Sequence, residues 1–224
     1  MTTTFSSTAP MLRGEGTIER VLVRYQEPGP GQLLLRSRAN AICGTDRGIY
    51  QRGSSVVPGH ETAGEVVRAG EGTTTPVGTR GVVFLMSYCA ACGNCTRGLT
   101  NLCKDKQGDI GLNQHGGLGP YVLVQERTFF PIDDDVPFAL ATMLLDVMGT
   151  SGHALDRAER VLPDIRSIHV AGAGPVGIGT LVMARLRYGP DLPVVVSDVS
   201  PWRLDLARSL GASVATTPDQ LGDL

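Results

Sequence analysis

Four of the five cysteines in this 224-residue chain fall within one short segment. Cys89, Cys92, Cys95 and Cys103 follow the spacing C-x2-C-x2-C-x7-C. Tight loops of these lengths can bring four thiolates to the corners of a tetrahedron, which is the donor arrangement of a structural zinc ion. An iron–sulfur cluster is the competing interpretation, but the bacterial ferredoxin spacing has three residues before its last cysteine and a proline after it. Here seven residues precede the last cysteine and Lys104 follows it, so zinc is favoured.

The charge balance and the hydropathy pattern exclude several functions. The chain has 20 basic and 22 acidic residues, a net charge of −2, which offers no attraction for nucleic acid or for an anionic membrane. The first ten residues do not resemble a signal peptide, and no uncharged apolar run reaches the roughly 18 residues of a spanning helix. We therefore expect a cytoplasmic protein without nucleic-acid or membrane partners. Cysteines stay reduced in the cytoplasm, so they indicate metal binding or catalysis more strongly than disulfide bonds.

The first part of the chain is predicted to be rich in β-structure. Short apolar or alternating runs, from residues 20–23 to residues 121–124, are separated by glycine and proline signals. Such spacing favours a compact barrel or sandwich. We place this domain at residues 1–150, with the cysteine lobe at about 86–106, and expect a helical stretch at 139–155. His115, in a glycine-rich loop, is expected to be exposed.

From residue 151 the pattern predicts the opening of an α/β domain with a doubly wound parallel sheet. The predicted order is strand, helix, strand, helix, over residues 165–171, 176–187, 192–197 and 201–210. Ser200 can cap the last helix, and Gly211 can close it. His169, within the first strand, is expected to be buried. A sheet of this kind needs more strands than residues 212–224 supply, so we expect domain 151–224 to be incomplete and the chain to be a fragment.

The turn between the first of these strands and its helix has a nucleotide-binding pattern. It reads G-x-G-x-x-G, and it follows a strand and opens a helix, which is the context that makes the motif informative. The glycines permit close backbone approach, and the helix N-terminus faces the cofactor's pyrophosphate. The predicted cofactor-binding residues of this turn are Gly172, Gly174, Pro175, Val176 and Gly177.

The next strand ends in an acidic residue that indicates which nucleotide is bound. Asp198 follows Gly177 by 21 residues. Its carboxylate can accept hydrogen bonds from the ribose hydroxyls and would repel a 2′-phosphate, so NAD is predicted over NADP. Arg203 is interpreted as a surface residue of the following helix.

Two more motifs supply metal ligands. Cys43-Gly44-Thr45-Asp46 follows an apolar strand, and Pro58-Gly59-His60-Glu61 lies a short distance further on. A thiolate and an imidazole on separate loops can be two ligands of a second zinc, although a lone cysteine and a lone histidine are more often core residues. The motifs then continue with the cysteine lobe and with Gly116-Gly117-x3-Tyr121-Val122. This order, over about residues 17–216, resembles the zinc-dependent medium-chain dehydrogenases, most closely their polyol, sugar and threonine dehydrogenase branch.

The resemblance implies a fold and a set of site residues. It implies a GroES-like catalytic domain followed by a Rossmann domain, with Cys43 and His60 bound to a catalytic zinc. Asp146 matches the family's third ligand, while Glu61 can ligate directly or through water, and this choice stays open. Thr45 matches the position that passes the substrate proton outward, although it could simply cap a local turn.

The resemblance also implies an activity, which is hydride transfer between a secondary alcohol and NAD. A polyol, sugar or cyclitol is the expected substrate, and the full-length enzyme is expected to be a homodimer or homotetramer with one catalytic and one structural zinc. The alternative is a catalytically silent zinc-binding protein of the same fold. The sequence departs from the family at Gly48, where a relay histidine is often found, and in the short segment 50–58.

Overall fold

The structure is a computed structural model that describes residues 4–223. Contacts between residues divide the chain into two compact units, Met1–Leu145 and Asp146–Leu224. The division falls slightly before the boundary that the sequence predicts at 150, and inside the predicted helical stretch. The assignment of one function to each part of the chain stays a prediction.

The first unit is rich in β-structure, as predicted. Its central sheet is antiparallel, with the strand order β8-β3-β4-β5-β9, and two separate hairpins pair β1 with β2 and β6 with β7. The elements are β1 (Thr4–Gly14), β2 (Thr17–Gln26), β3 (Gln32–Ala41), α1 (Gly44–Arg52), β4 (Glu61–Ala69), β5 (Arg80–Val83), β6 (Met86–Ser87), β7 (Gly108–Asp109), β8 (Tyr121–Gln125), β9 (Phe129–Pro131) and α2 (Phe138–Ala141).

The central sheet places α1 and the start of β4 next to each other. Ala41, at the end of β3, pairs with Glu61, at the start of β4. Alternate residues of β3, such as Leu33 and Leu35, are buried in the same core cluster, as the two-residue period of a strand requires. Because α1 begins directly after β3, its first residues are held near the first residues of β4.

The second unit is α/β, as predicted, with the parallel strand order β10-β11-β12. A buried cluster that includes Leu181, Val194 and Val196 packs the helices against this sheet. A π-helical turn, Leu144–Gly149, spans the division between the units. The elements that follow it are α3 (Thr150–Val161), β10 (Ile168–Ala171), α4 (Pro175–Tyr188), β11 (Val194–Ser197), α5 (Pro201–Ser209) and β12 (Val214–Thr216).

Two expectations about the helices need correction. The stretch predicted as one helix at 139–155 consists of α2, the π-helical turn and α3. Ser200 stands at the N-cap of α5, but its side chain makes no capping hydrogen bond. Its backbone N–H donates instead to the carboxylate of Asp198 at 2.8 Å, so the aspartate organises this helix start.

The helical run Phe138–Val161 meets the length and composition criteria for crossing a membrane, with a hydropathy of 1.2. One helix of this kind is weak evidence, because the core helix of a water-soluble protein can meet the same criteria. The run also carries acidic and basic residues in its second half.

Candidate metal sites and nucleotide turn

The four cysteines of the lobe converge, as their spacing predicts. The Sγ atoms of Cys92 and Cys95 are 3.5 Å apart, and those of Cys89 and Cys95 are 3.9 Å apart. With zinc–sulfur bonds of ~2.3 Å, tetrahedral geometry separates the sulfurs by ~3.8 Å. The Sγ atoms of all four cysteines, including Cys103, lie within 4.8 Å of one another. The donor set and its spacing therefore fit a zinc ion.

The backbone of the lobe favours thiolates over thiols. Backbone N–H groups donate to sulfur, from Cys92 to Cys89 at 3.2 Å and from Cys89 to Cys103 at 3.3 Å. The N–H groups of Cys95 and Lys104 lower the pKa of Cys92 to about 6, whereas burial raises the pKa of Cys95 to about 12. A buried thiol beside thiolates keeps its proton until a cation offsets the charge, so this donor set suits a divalent ion.

A second ligand cluster contains Cys43, His60 and Glu61, whose ligand atoms all lie within 4.8 Å of one another. Cys43 is the N-cap of α1, so its side chain lies at the start of the helix. His60 and Glu61 are buried, with exposed fractions of 4% and 8%, whereas Cys43 is half-buried. Thr45 is exposed on α1, and its Oγ1 lies 3.7 Å from the Cys43 Sγ atom. The set combines sulfur, nitrogen and oxygen donors, which zinc accepts.

Asp46 borders this cluster, and the sequence did not predict a role for it. One carboxylate oxygen accepts the backbone N–H of Cys43 at 2.9 Å, and the other lies 3.8 Å from Nδ1 of His60. The second separation is longer than a hydrogen bond, so the carboxylate places its negative charge beside the imidazole without accepting a hydrogen bond from it. The signal was visible in the sequence, because Asp46 lies three residues after Cys43, the spacing of a capping box.

Asp146, the other predicted ligand, belongs to the second unit. It is half-buried in the π-helical turn. Within the part of the chain that the structure describes, the cluster of mutually close ligand atoms contains Cys43, His60 and Glu61. The assignment of Asp146 as the third ligand therefore stays a prediction.

The glycine-rich turn of the second unit has the shape that the motif predicts. Gly172, after β10, has φ of +94°, and a Cβ atom at Gly177 would lie 1.9 Å from the Gly172 carbonyl oxygen. Any side chain at Gly177 would therefore force the turn apart. Gly174 is the N-cap of α4, and Pro175 occupies the first helical turn. The turn leaves the N-terminus of α4 suited to a phosphate group.

Asp198 is bound into this turn. Its carboxylate accepts backbone N–H groups of Ala173 at 2.7 Å and Ser200 at 2.8 Å. Arg203 is exposed on α5, as expected for a surface residue, and its Nη1 also lies 3.5 Å from Asp198 Oδ2. The N–H groups of Ser200 and Ala173, with the charge of Arg203, lower the pKa of Asp198. The carboxylate is therefore ionised at neutral pH, with part of its charge offset by the arginine.

The structure also corrects the expected exposure of two histidines. His115 was expected to be exposed, but it is half-buried and its Nδ1 accepts the backbone N–H of Val57 at 3.0 Å. His169 was expected to be buried, but it is exposed, with Nε2 3.0 Å from Ser197 Oγ. The strand β10 is too short for its sequence alternation to show which of its two faces is buried.

Comparison with known proteins gives one family. The model of the alcohol dehydrogenase GroES-like domain matches residues 29–134. An L-threonine 3-dehydrogenase of Rhizobium etli (strain CIAT 652) is 35% identical over 213 residues, which is 90% of this chain and 60% of that protein. The chain thus spans about 60% of the length of the curated relatives it matches.

Solved structures agree with the curated relatives. A Sinorhizobium meliloti 1021 protein, named as a zinc-binding dehydrogenase and solved with NADP, is 29% identical, with a TM-score of 0.82 over 96% of this chain and 63% of that one. The cobalt- and zinc-bound alcohol dehydrogenase of Pyrobaculum aerophilum is 26% identical, with a TM-score of 0.83 over 99% and 68%. The GroES-like domain, the relatives and the fold of this chain support the zinc-dependent medium-chain dehydrogenase/reductase family.

Proposed function

We propose that this chain forms part of a zinc-dependent dehydrogenase that transfers hydride between a secondary alcohol and NAD. The observation that carries the proposal is the convergence of Cys43, His60 and Glu61 within 4.8 Å, in addition to the four-cysteine lobe. A structural site alone would need only the lobe. The mixed donor set supports a catalytic zinc, because three protein ligands leave a fourth position for substrate.

Each residue of the proposed site has a chemical role. Zinc held by these residues would supply Lewis acidity that favours loss of the alcohol proton near neutral pH, and a nicotinamide would supply the hydride acceptor. Asp46 places a negative charge 3.8 Å from Nδ1 of His60, on the side of the ring that faces it. The Thr45 hydroxyl, exposed beside Cys43, receives the substrate proton and passes it outward. Either Glu61 or Asp146 completes the ligand set.

The substrate and cofactor proposals rest on the relatives and on Asp198. Relatives that are 35% and 36% identical are L-threonine 3-dehydrogenases, which supports a small secondary alcohol from the polyol, sugar, cyclitol or hydroxy amino acid classes. The ionised Asp198 favours NAD, although Arg203 beside it weakens the repulsion of a 2′-phosphate. We further propose a cytoplasmic enzyme that is a homodimer or homotetramer when full length.

The proposal is tested by zinc content per chain, measured by elemental analysis for the wild type and for Cys43→Ala. We expect about two zinc ions in the wild type and about one in the variant, because the catalytic and structural ligand sets are separate. Thr45→Val is the matched control on the same helix and should keep both ions. About one zinc in every protein would mean that only the lobe binds metal, and would favour a catalytically silent protein.

The third ligand is identified by the same measurement on Glu61→Gln and Asp146→Asn. The variant that loses about one zinc ion removes a true ligand. Retention of both ions in both variants would contradict a carboxylate ligand at either position.

A further inference from the structure

The residues that lead into two of the proposed zinc ligands lie outside regular secondary structure. Residues 57–60, which end in His60, are all buried, yet they belong to no helix or strand. The pairing of β3 with β4 begins at Glu61, so the ladder of the sheet does not extend to this segment. A buried backbone group without a partner costs free energy, so other residues must bind the segment.

The loop at residues 115–118 supplies these partners. Its backbone N–H groups donate to carbonyl oxygens of the segment, from Gly116 to Val57 at 2.7 Å, from Gly117 to Gly59 at 2.9 Å and from Leu118 to Pro58 at 3.0 Å. A Cβ atom at Gly116 would lie 2.1 Å from the Gly59 carbonyl oxygen. The two backbones are therefore in direct contact, with no room for a side chain between them.

A fourth hydrogen bond between the loop and the segment is made by a side chain. The backbone N–H of Val57 donates to Nδ1 of His115 at 3.0 Å. Nδ1 accepts a hydrogen bond only when it carries no proton, so the ring is neutral with its proton on Nε2. Burial lowers the pKa of His115, which favours this neutral form. Of the four hydrogen bonds, this is the one that a change of side chain can remove.

Contacts outside the segment hold His115 in place. The centroid of its ring lies 5.9 Å from that of the buried Tyr25, on β2. The residue before it, Gln114, accepts a hydrogen bond from the hydroxyl of the buried Ser87 at 3.1 Å, which ties the loop to β6. His115 is therefore anchored to the hairpins of the first unit while it binds Val57.

We propose that His115 is a positioning residue for the catalytic zinc, because its hydrogen bond to Val57 holds the segment that carries His60 in the conformation that binds the metal. This inference rests on the proposed function, since it takes His60 as a zinc ligand. Without the bond the Val57 N–H is buried and loses its partner. The conformation that binds zinc is then less populated, and the apparent affinity falls in proportion.

The test compares three side chains at position 115 by competition for zinc with a chelator. The amide oxygen of asparagine can take the place of Nδ1, that of glutamine takes the place of Nε2, and phenylalanine keeps a ring without an acceptor. We expect His115→Gln and His115→Phe to weaken the binding of one zinc ion roughly tenfold, and His115→Asn to retain most of the affinity. The zinc ion of the cysteine lobe should be held equally in all of them.

A matched control makes the same substitution elsewhere. His169 is exposed on β10 in the second unit, so His169→Gln should change the affinity for neither zinc ion. Equal weakening by all three substitutions at His115 would mean that the ring acts by packing and not through Nδ1. Unchanged zinc affinity in all three would mean that His115 positions no ligand. Either result would overturn the proposal.

NMR tests the hydrogen bond in the wild type, where folding of a variant is not in question. The ¹⁵N shifts of the His115 ring should identify the neutral form with its proton on Nε2. The Val57 amide should exchange with solvent roughly tenfold faster in His115→Gln than in His115→Asn. A proton on Nδ1 of the wild-type ring would overturn the proposal.

Zinc content distinguishes failure of this inference from failure of the proposed function. If Cys43→Ala loses about one zinc ion while His115→Gln binds zinc as tightly as the wild type, the dehydrogenase proposal stands and the role of His115 is wrong. If Cys43→Ala loses no zinc, the first unit holds no catalytic ion for His115 to position, and both proposals fall.

Discussion

The two ligand clusters of the first unit are built in different ways. The lobe takes all four cysteines from residues 89–103, within one continuous loop segment, and its backbone N–H groups point at the sulfurs. The cluster of Cys43, His60 and Glu61 depends instead on the pairing of β3 with β4, which sets the start of α1 beside the start of β4. A local loop can be organised by its metal, whereas the second cluster is organised by the sheet before any metal arrives.

The largest expected effect is the loss of the lobe's metal. Because structural zinc supplies on the order of 10 kcal/mol in small zinc domains, Cys92→Ala should unfold the lobe locally. Hydrogen exchange should rise by orders of magnitude in residues 86–106 and stay low in β3 and β4. Cys43→Ala is the matched control and should leave exchange in the lobe unchanged. Equal loss of protection in the sheet would show that the lobe is not a separate unit of stability.

A smaller effect is expected where the sheet holds the ligands. Asp46→Asn keeps the shape of the side chain but removes the charge near His60, and loss of such a partner typically weakens metal binding 10- to 100-fold. Competition with a chelator should show this decrease for one of two zinc ions, with the lobe's ion unaffected. Asp105→Asn, a charge change within the lobe, is the control. If Asp46→Asn releases zinc no faster than the control, Asp46 does not orient a ligand.

The same contrast explains how far the sequence predicted the molecule. Ligands that are close in sequence, such as Cys89 to Cys103, could be predicted from spacing, as could the turn at Gly172, which joins adjacent elements. The contacts of Asp46 with Cys43 and His60, and the ion pair of Arg203 with Asp198, depend on side-chain directions that periodicity does not contain. The sequence could not decide whether Glu61 or Asp146 is the third protein ligand of the proposed catalytic zinc, because these residues belong to different units of the fold.

In the second unit the side chain of Arg185 links helix α4 to neighbouring loops. The described residues of this unit contain no group of close ligand atoms comparable to those of the first unit. Arg185 donates to the carbonyl oxygens of Gly211 at 2.7 Å and Leu192 at 2.6 Å, and to Ser213 Oγ at 3.0 Å. Arg185→Met should lower the free energy of unfolding by about 2 kcal/mol, because loop carbonyls lose a charged donor. Chemical denaturation, monitored by hydrogen exchange in α4 and β12, would measure this change in the free energy of unfolding. Arg157→Met, an exposed substitution in α3, should change it by less than ~0.5 kcal/mol.

Asp198 should make the second unit sensitive to acid. Its pKa is lowered in the folded chain, so its stabilising contribution is complete above the unfolded value of about 3.9 and is lost as the pH falls through the folded pKa. We expect Asp198→Asn to lower the free energy of unfolding at pH 7, and the difference from the wild type to shrink below about pH 4. Denaturation curves at pH 7, 4 and 3 check this. A constant difference over that range would mean that the packing of the side chain, and not its charge, is responsible.

The smallest effect concerns a buried polar group that contrasts with Asp46. Tyr25 is 3% exposed, and within residues 4–223 its hydroxyl has no hydrogen-bond partner. Burial raises its pKa to about 12, so it keeps its proton, and the ring packs against Phe5 and Tyr121. Because a hydroxyl without a partner loses its hydration on folding and gains nothing, Tyr25→Phe should be neutral or stabilising by up to about 1 kcal/mol. If Tyr25→Phe instead destabilises the protein in thermal unfolding, the hydroxyl forms a hydrogen bond to an ordered water or a ligand. Tyr25 would then be a buried polar group with a partner, as Asp46 is.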